Sequence, residues 1–210
     1  MKKPEIIGEL VARLPELESS REDMEAIAQI WIDAFRRGNK LLLCGNGGSC
    51  ADCEHIAGEL MKGFLKRRPL PRELKEKLAA AGCSDMGEKL QLGLPCVHLS
   101  SHTALNTAFC NDVDPRYTMA QQLLALGKEG DVLLAISTSG NAENVYWAAQ
   151  CARALGIQVT GLTGKDGGRL LPLCHRAFVA PSRETYRIQE YHLPVYHALC
   201  LAVEAEFFEE

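Results

Sequence analysis

The chain has 210 residues, 47% hydrophobic and 24% charged, with a formal net charge of −4. This size and composition suit one globular domain over 1–210 with a sizeable core, and the acidic balance gives no electrostatic basis for nucleic acid or an anionic membrane as the main partner. No apolar run approaches the roughly 20 residues that span a bilayer, and Met1-Lys2-Lys3-Pro4-Glu5 runs into an acidic amphipathic segment rather than a leader, so a cytoplasmic protein is expected.

Residues 5–37 read as helix, because Ile6, Leu10, Leu14 and Leu17, then Ile27, Ile30, Trp31 and Phe35, recur at helical spacing. The N-terminal segment 1–37 carries more apolar positions than one sheet face readily covers, and a second subunit is the expected cover. From Lys40 onward strand and helix alternate. Strands are expected at 40–44, 96–99, 131–136, 157–162 and 176–180, and helices at 49–62, 102–110, 115–127, 142–155 and 186–207. The apolar runs are short and continuous, as in parallel strands covered on both faces. The order argues for a parallel α/β sandwich with right-handed crossovers. Residues 65–94 interrupt the rhythm with the basic, proline-broken Leu65-Lys66-Arg67-Arg68-Pro69-Leu70-Pro71, a short helix near 72–81 and a polar turn around Gly82. They read as an insertion at the surface or a subunit interface, and the Lys/Arg cluster as a solvated face.

Two loops directly follow apolar runs and open helices: Gly45-Asn46-Gly47-Gly48-Ser49 after Leu41-Leu42-Leu43-Cys44, and Ser137-Thr138-Ser139-Gly140-Asn141 after Val132-Leu133-Leu134-Ala135-Ile136. Backbone N–H groups and hydroxyls converge at such a junction, and the helix dipole favours negative charge there. Two of them in one domain suggest a phosphorylated or polyhydroxylated small molecule at the carboxyl ends of the strands. The 9 cysteines, most of them inside apolar runs, read as reduced, and Cys50-x-x-Cys53 has neither thioredoxin-like surroundings nor a second pair to make a zinc site.

His55 and Glu59 are four apart on one helix, and Gln189 and His197 eight apart on another, so that each pair can share a side. Imidazole, carboxylate and amide oxygen make a ligand set for zinc or another divalent metal. A carboxylate and a histidine in one pocket also suit a proton shuttle.

These residues carry a family resemblance. Gly45-Asn46-Gly47-Gly48-Ser49 with Asp52, His55 and Glu59, then Asn111-Asp112, Ser137-Thr138-Ser139-Gly140-Asn141, Leu162-Thr163-Gly164-Lys165-Asp166-Gly167-Gly168, and Arg187-Ile188-Gln189-Glu190 with His197, follow in this order from about residue 22 onward. The chain resembles the sugar isomerase (SIS) domain family and, within it, the phosphoheptose isomerases, which convert sedoheptulose 7-phosphate to glycero-manno-heptose 7-phosphate. The resemblance implies a flavodoxin-like, three-layer fold around a five-stranded parallel sheet with an added N-terminal helix. It implies Glu59 and His197 as the acid/base pair and His55, Glu59, Gln189 and His197 as ligands to Zn2+. Ser137, Thr138 and Ser139 would hold the phosphate, and Asn46, Gly47, Gly48, Ser49, Glu59, Asn111, Asp112 and Gln189 would line the sugar site. It further implies a homotetramer with active sites completed across subunits. Three departures stand out: Ala142 where a serine is common, His102-Thr103-Ala104 where many members carry Asp-Thr-Ser, and the 65–94 insertion. His102 reads first as the N-terminal residue of a helix with no catalytic role, and only second as a group beside the pocket. The other readings are a noncatalytic phosphosugar-binding or replication-initiator-associated SIS protein, and an isomerase of a different phosphosugar.

Overall fold

The apolar runs pair into one sheet in the computed structural model, which describes residues 3–208 and so leaves Met1 and Lys2 of the N-terminal reading outside. Its strands are β1 (Leu41–Cys44), β2 (Cys96–His98), β3 (Val132–Ser137), β4 (Gln158–Gly164) and β5 (Arg176–Ala180), all parallel in the order β2-β1-β3-β4-β5. The central strands feed two cores, because successive side chains leave opposite faces. Leu41, Leu43, Val132, Leu134 and Ile136 enter one, and Leu42, Cys44, Leu133 and Ala135 the other. The first core is covered by α1 (Lys3–Arg13), α2 (Arg21–Arg36), α3 (Gly48–Met61) and the long C-terminal helix. After α3 come α4 (Arg72–Ala80), α5 (Ser84–Lys89) and α6 (Thr103–Asp112); α7 (Thr118–Leu126) and α8 (Glu143–Ala154) cover the second core, and α9 (Thr185–Phe207) closes the chain. The strand order reverses direction between β1 and β3, and both glycine-serine loops leave the sheet at that switch point.

Three expectations need correction. The helix read over 5–37 is two helices separated by a 3-10 turn at Pro15–Ser20. Pro15 disfavours helical geometry in the residue before it, and Leu14 accordingly sits at φ −130°, ψ 77°. The apolar stripe needs no second subunit: Ile6, Leu10, Leu17, Ile27 and Trp31 are buried within the chain, with Leu14 and Ile30 packed at the edge of the core. The indole Nε1 of Trp31 even finds a partner, donating to Thr160 Oγ1 at 3.2 Å.

The basic stretch is also not a solvated face throughout. Arg68 is fully buried against Glu204 of α9. The rest of the insertion is a helical hairpin, α4 against α5, closed by the Pro69–Gln91 bridge and a Lys75–Glu88 ion pair of 3.0 Å. The turn expected around Gly82 is present, with Gly82 at φ +78°, and a second helix follows it that is too short, at six residues, to show a period. Every cysteine is free, and Cys53 of the Cys-x-x-Cys is fully buried.

Candidate functional site

At the switch point a cleft of about 330 Å³ is lined by Asn46, Gly47, Gly48 and Ser49 after β1, by Ser137, Thr138, Ser139 and Ala142 after β3, and by Thr185 and Gln189 of α9. Both loops are held by their own polar groups. The Asn46 and Asn144 amides exchange hydrogen bonds of 2.8 and 2.9 Å, tying the first loop to α8. In the second loop Ser139 Oγ accepts from Asn141 N at 3.2 Å, and Asn141 Oδ1 accepts from Arg169 N at 3.1 Å. Ser137 is buried, while Thr138 and Ser139 are half-buried at the cleft. Gly140 lies at φ +66°, and a Cβ there would run into the Gly167 carbonyl oxygen, so only glycine lets these two loops touch.

The cleft thus combines hydroxyls with the amino ends of α3 and α8, which is an arrangement for an anion. Thr185 and Asn144 were not foreseen. Thr185 could have been found from its place at the amino end of the helix after β5, on the same sheet edge.

A second group forms farther along the same two helices. His55 Nε2 faces Glu59 Oε1 at 3.3 Å, His55 Nδ1 shares a 2.9 Å hydrogen bond with the Tyr196 hydroxyl, and the His55 and His197 rings stand edge to face at 4.9 Å. Phe64 covers His197 with ring centroids 5.5 Å apart. Burial, reinforced by His55, lowers the pKa of His197, and its Nε2 is buried with no partner. Burial likewise raises the Tyr196 phenol, helped by Asp52 alongside, and raises Asp52 itself. Glu59 is largely covered, and Lys62 Nζ approaches its other oxygen at 3.4 Å.

Helices α3 and α9 run side by side in the same direction. Gln189 lies against Gly48, His197 against His55, and Glu204 reaches the last turn of α3 through Arg68. This geometry divides the expected residues. Gln189 stays at the anion cleft, while His197 is two turns on, a rise of about 12 Å. Within one chain the four expected ligands therefore do not gather at one point, and among the described residues no three His, Cys, Asp or Glu side chains form a metal-holding cluster. Sharing a helix side is not sharing a point. Likewise Glu59 stands about 16 Å along α3 from Gly48 and does not line the cleft.

Asn111 and Asp112 are exposed on the last turn of α6, bonded to each other at 2.9 Å, and do not line the cleft either. Their helix follows the edge strand β2, away from the switch point. His102 precedes α6 and is engaged by Gln122 Oε1 at 2.9 Å, which fits the structural reading.

Comparison with known proteins bears on the family and the fold. The SIS domain family model matches residues 7–87 and 86–164. A phosphoheptose isomerase of Clostridium acetobutylicum is 38% identical over 189 residues, covering 90% of this chain and 85% of that protein. Among solved structures, the phosphoheptose isomerase of Neisseria gonorrhoeae superposes with a TM-score of 0.75 at 31% identity, covering 94% of each chain. That of Francisella tularensis gives 0.76 at 28% identity, covering 91% of this chain and 90% of its own.

Proposed function

This chain belongs to the SIS domain family, and from that premise we propose that it is an aldose–ketose isomerase acting on sedoheptulose 7-phosphate to form glycero-manno-heptose 7-phosphate. The observation that carries the proposal is the pairing, on two parallel helices, of an anion cleft with a covered carboxylate and an unpartnered imidazole. In this reading the phosphate sits among Ser137, Thr138, Ser139 and the amino end of α8. Glu59 removes a proton from C1 of the ketose and returns it at C2. His197 moves the proton between the oxygens on C1 and C2, so the enediolate between the two forms never carries both charges.

Zinc fits the donor types, but a single chain does not gather three of them into a metal-holding cluster among the described residues. His55 stands against both Glu59 and His197, and the buried, unpartnered His197 Nε2 is an orphan that a ligand bond would satisfy. When bound, the metal would supply an electrophile for the developing oxyanion. Because Gln189 of the same chain stays at the cleft, we assign the fourth ligand to a neighbouring copy, so that the cleft and Gln189 of one subunit meet the Glu59 group of another.

The assembly we propose is a homotetramer. Its support is the divided site, and uncovered apolar residues near these elements offer surface for the contact: Met61 at the end of α3, Leu65, and Leu105 and Val113 around α6, a helix with no buried residue of its own. Nine free thiols suit the reducing cytoplasm, where we place the enzyme, and no helix among the described residues is long and apolar enough to cross a membrane.

The test is to incubate the purified protein in D2O with sedoheptulose 7-phosphate and a panel of other ketose phosphates, with metal analysis of the same sample. Aldose appearing from the seven-carbon substrate, with deuterium at C2, is the expected result. Binding without turnover would favour the noncatalytic reading, and faster turnover of another sugar would reassign the substrate.

A further inference from the structure

The buried ion pair between Arg68 and Glu204 is more than a stabilising contact. Both side chains are almost wholly buried, with exposures of 0% and 1%. The guanidinium donates from Nε and Nη2 to Glu204 Oε1 at 3.0 and 2.8 Å. Its remaining donors point elsewhere: Nη1 to the carbonyl oxygen of Leu60 at 2.6 Å and Nη2 to that of Glu59 at 3.0 Å. The last carbonyls of a helix have no partner within it, and a planar guanidinium can bridge two of them at once. Arg68 is thus the cap on the final turn of α3, the turn that presents the Glu59 carboxylate.

Glu204 completes the connection. Its Oε1 also accepts from Phe64 N at 2.8 Å, and its Oε2 accepts from Leu65 N at 2.9 Å and Lys66 N at 3.2 Å. Burial alone would raise its pKa, but these backbone donors and Arg68 together outweigh burial and hold it below the ordinary carboxylate value. Phe64, fixed by that bond, is the residue whose ring covers His197. Glu204 lies seven residues beyond His197 on α9. One ion pair therefore grips the backbone of the proposed base, the cover over its proposed partner, and the helix that carries that partner.

We propose that Arg68 and Glu204 are positioning residues that set the placement of Glu59 relative to His197. This rests on the isomerase reading given above. A buried ion pair is weak evidence of stability, since apolar or neutral replacements of similar volume are often tolerated, whereas a 1 Å error in placing a reacting group can cost about 100-fold in rate. The pair should accordingly matter more to turnover than to folding.

The experiment compares Arg68→Lys and the doubly neutral Arg68→Met/Glu204→Gln with the wild type. In the double variant the side-chain amide oxygen at position 204 would still accept from a backbone amide of the 64–66 turn, but nothing would span the carbonyls of Glu59 and Leu60. We expect kcat for sedoheptulose 7-phosphate to fall about 10- to 100-fold in both, with KM within about twofold, because the phosphate cleft is untouched. Activity is normalised to folded protein by calorimetry. A change in KM equal to that in kcat, or wild-type kcat in a folded variant, would overturn the proposal. If the double variant does not fold, Arg68→Lys, which keeps the buried charge pair, decides the matter by the same criterion. Hydrogen exchange at the amides of the last turn of α3 and of Phe64 is read in parallel. If the wild type itself does not isomerise the sugar, the isomerase reading fails, and selective acceleration of exchange at those amides, absent from the sheet, then tests the grip on its own. Unchanged exchange there would overturn it.

Discussion

Gly48 and Gly140 both sit in the anion loops, yet an added methyl group meets different neighbours. At Gly48 it would press on the Gln189 amide, the far end of a flexible side chain. At Gly140 it would strike the Gly167 carbonyl from a positive φ. Gly48→Ala should therefore displace Gln189 and weaken inorganic phosphate or substrate binding severalfold while leaving thermal stability close to wild type. Gly140→Ala should lower stability by more than about 2 kcal/mol. Calorimetry and phosphate titration of both variants check the contrast, and equal destabilisation would refute it. The loop residues were legible because small residues directly after an apolar run have few other reasons to be there. His55 and Glu59 were legible from helical spacing. Arg68 and Glu204 were not, since a buried arginine in a basic stretch looks like its solvated neighbours until its partner, 136 residues away, is known. Asn111 and Asp112 were placed by resemblance alone, and one chain keeps them apart from the cleft.

Helix α9 carries Gln189 and His197 of the proposed site, and its inner face holds a titratable group with no part in the proposed chemistry. His192 is buried against Phe178, its Nε2–H donating to the Thr163 carbonyl oxygen at 2.9 Å. Burial lowers its pKa from 6.5 to about 4. The neutral ring is favoured in the folded state, so the unfolded chain binds the extra proton first as pH falls. The stability is complete above pH 6.5, declines below it, and is exhausted near pH 4, a loss of about 3 kcal/mol from this one group. Denaturant unfolding of the wild type and His192→Leu across that window should show a shallower decline in the variant; identical slopes would count against this assignment. The strands were readable nearly to the residue because each is a short apolar run bounded by polar turns. The break at Leu14 was missed because the apolar period continues through Pro15, and periodicity is blind to a missing backbone donor.

The parallel course of α3 and α9 determines what one chain can do alone. It lays out an anion cleft at one end and the Glu59–His197 group farther along, with Gln189 on the cleft side of the division. No pattern in the sequence could separate them, because spacing along a helix reports the face and not the partner opposite it. The N-terminal stripe that argued for association is satisfied internally, so the case for a tetramer now rests on the divided site. Light scattering at micromolar concentration should give a tetramer. Mixing Glu59→Gln with Gln189→Ala subunits should restore part of the activity that each lacks, whereas an active monomer would contradict the shared site. The most direct test is turnover of sedoheptulose 7-phosphate by the wild type and by Glu59→Gln, followed by NMR on samples shown to be equally folded. The aldose should form with the wild type and at least about 100-fold more slowly with the variant, the scale of losing a general base. Equal rates in the two, or no conversion by the wild type, would contradict the account.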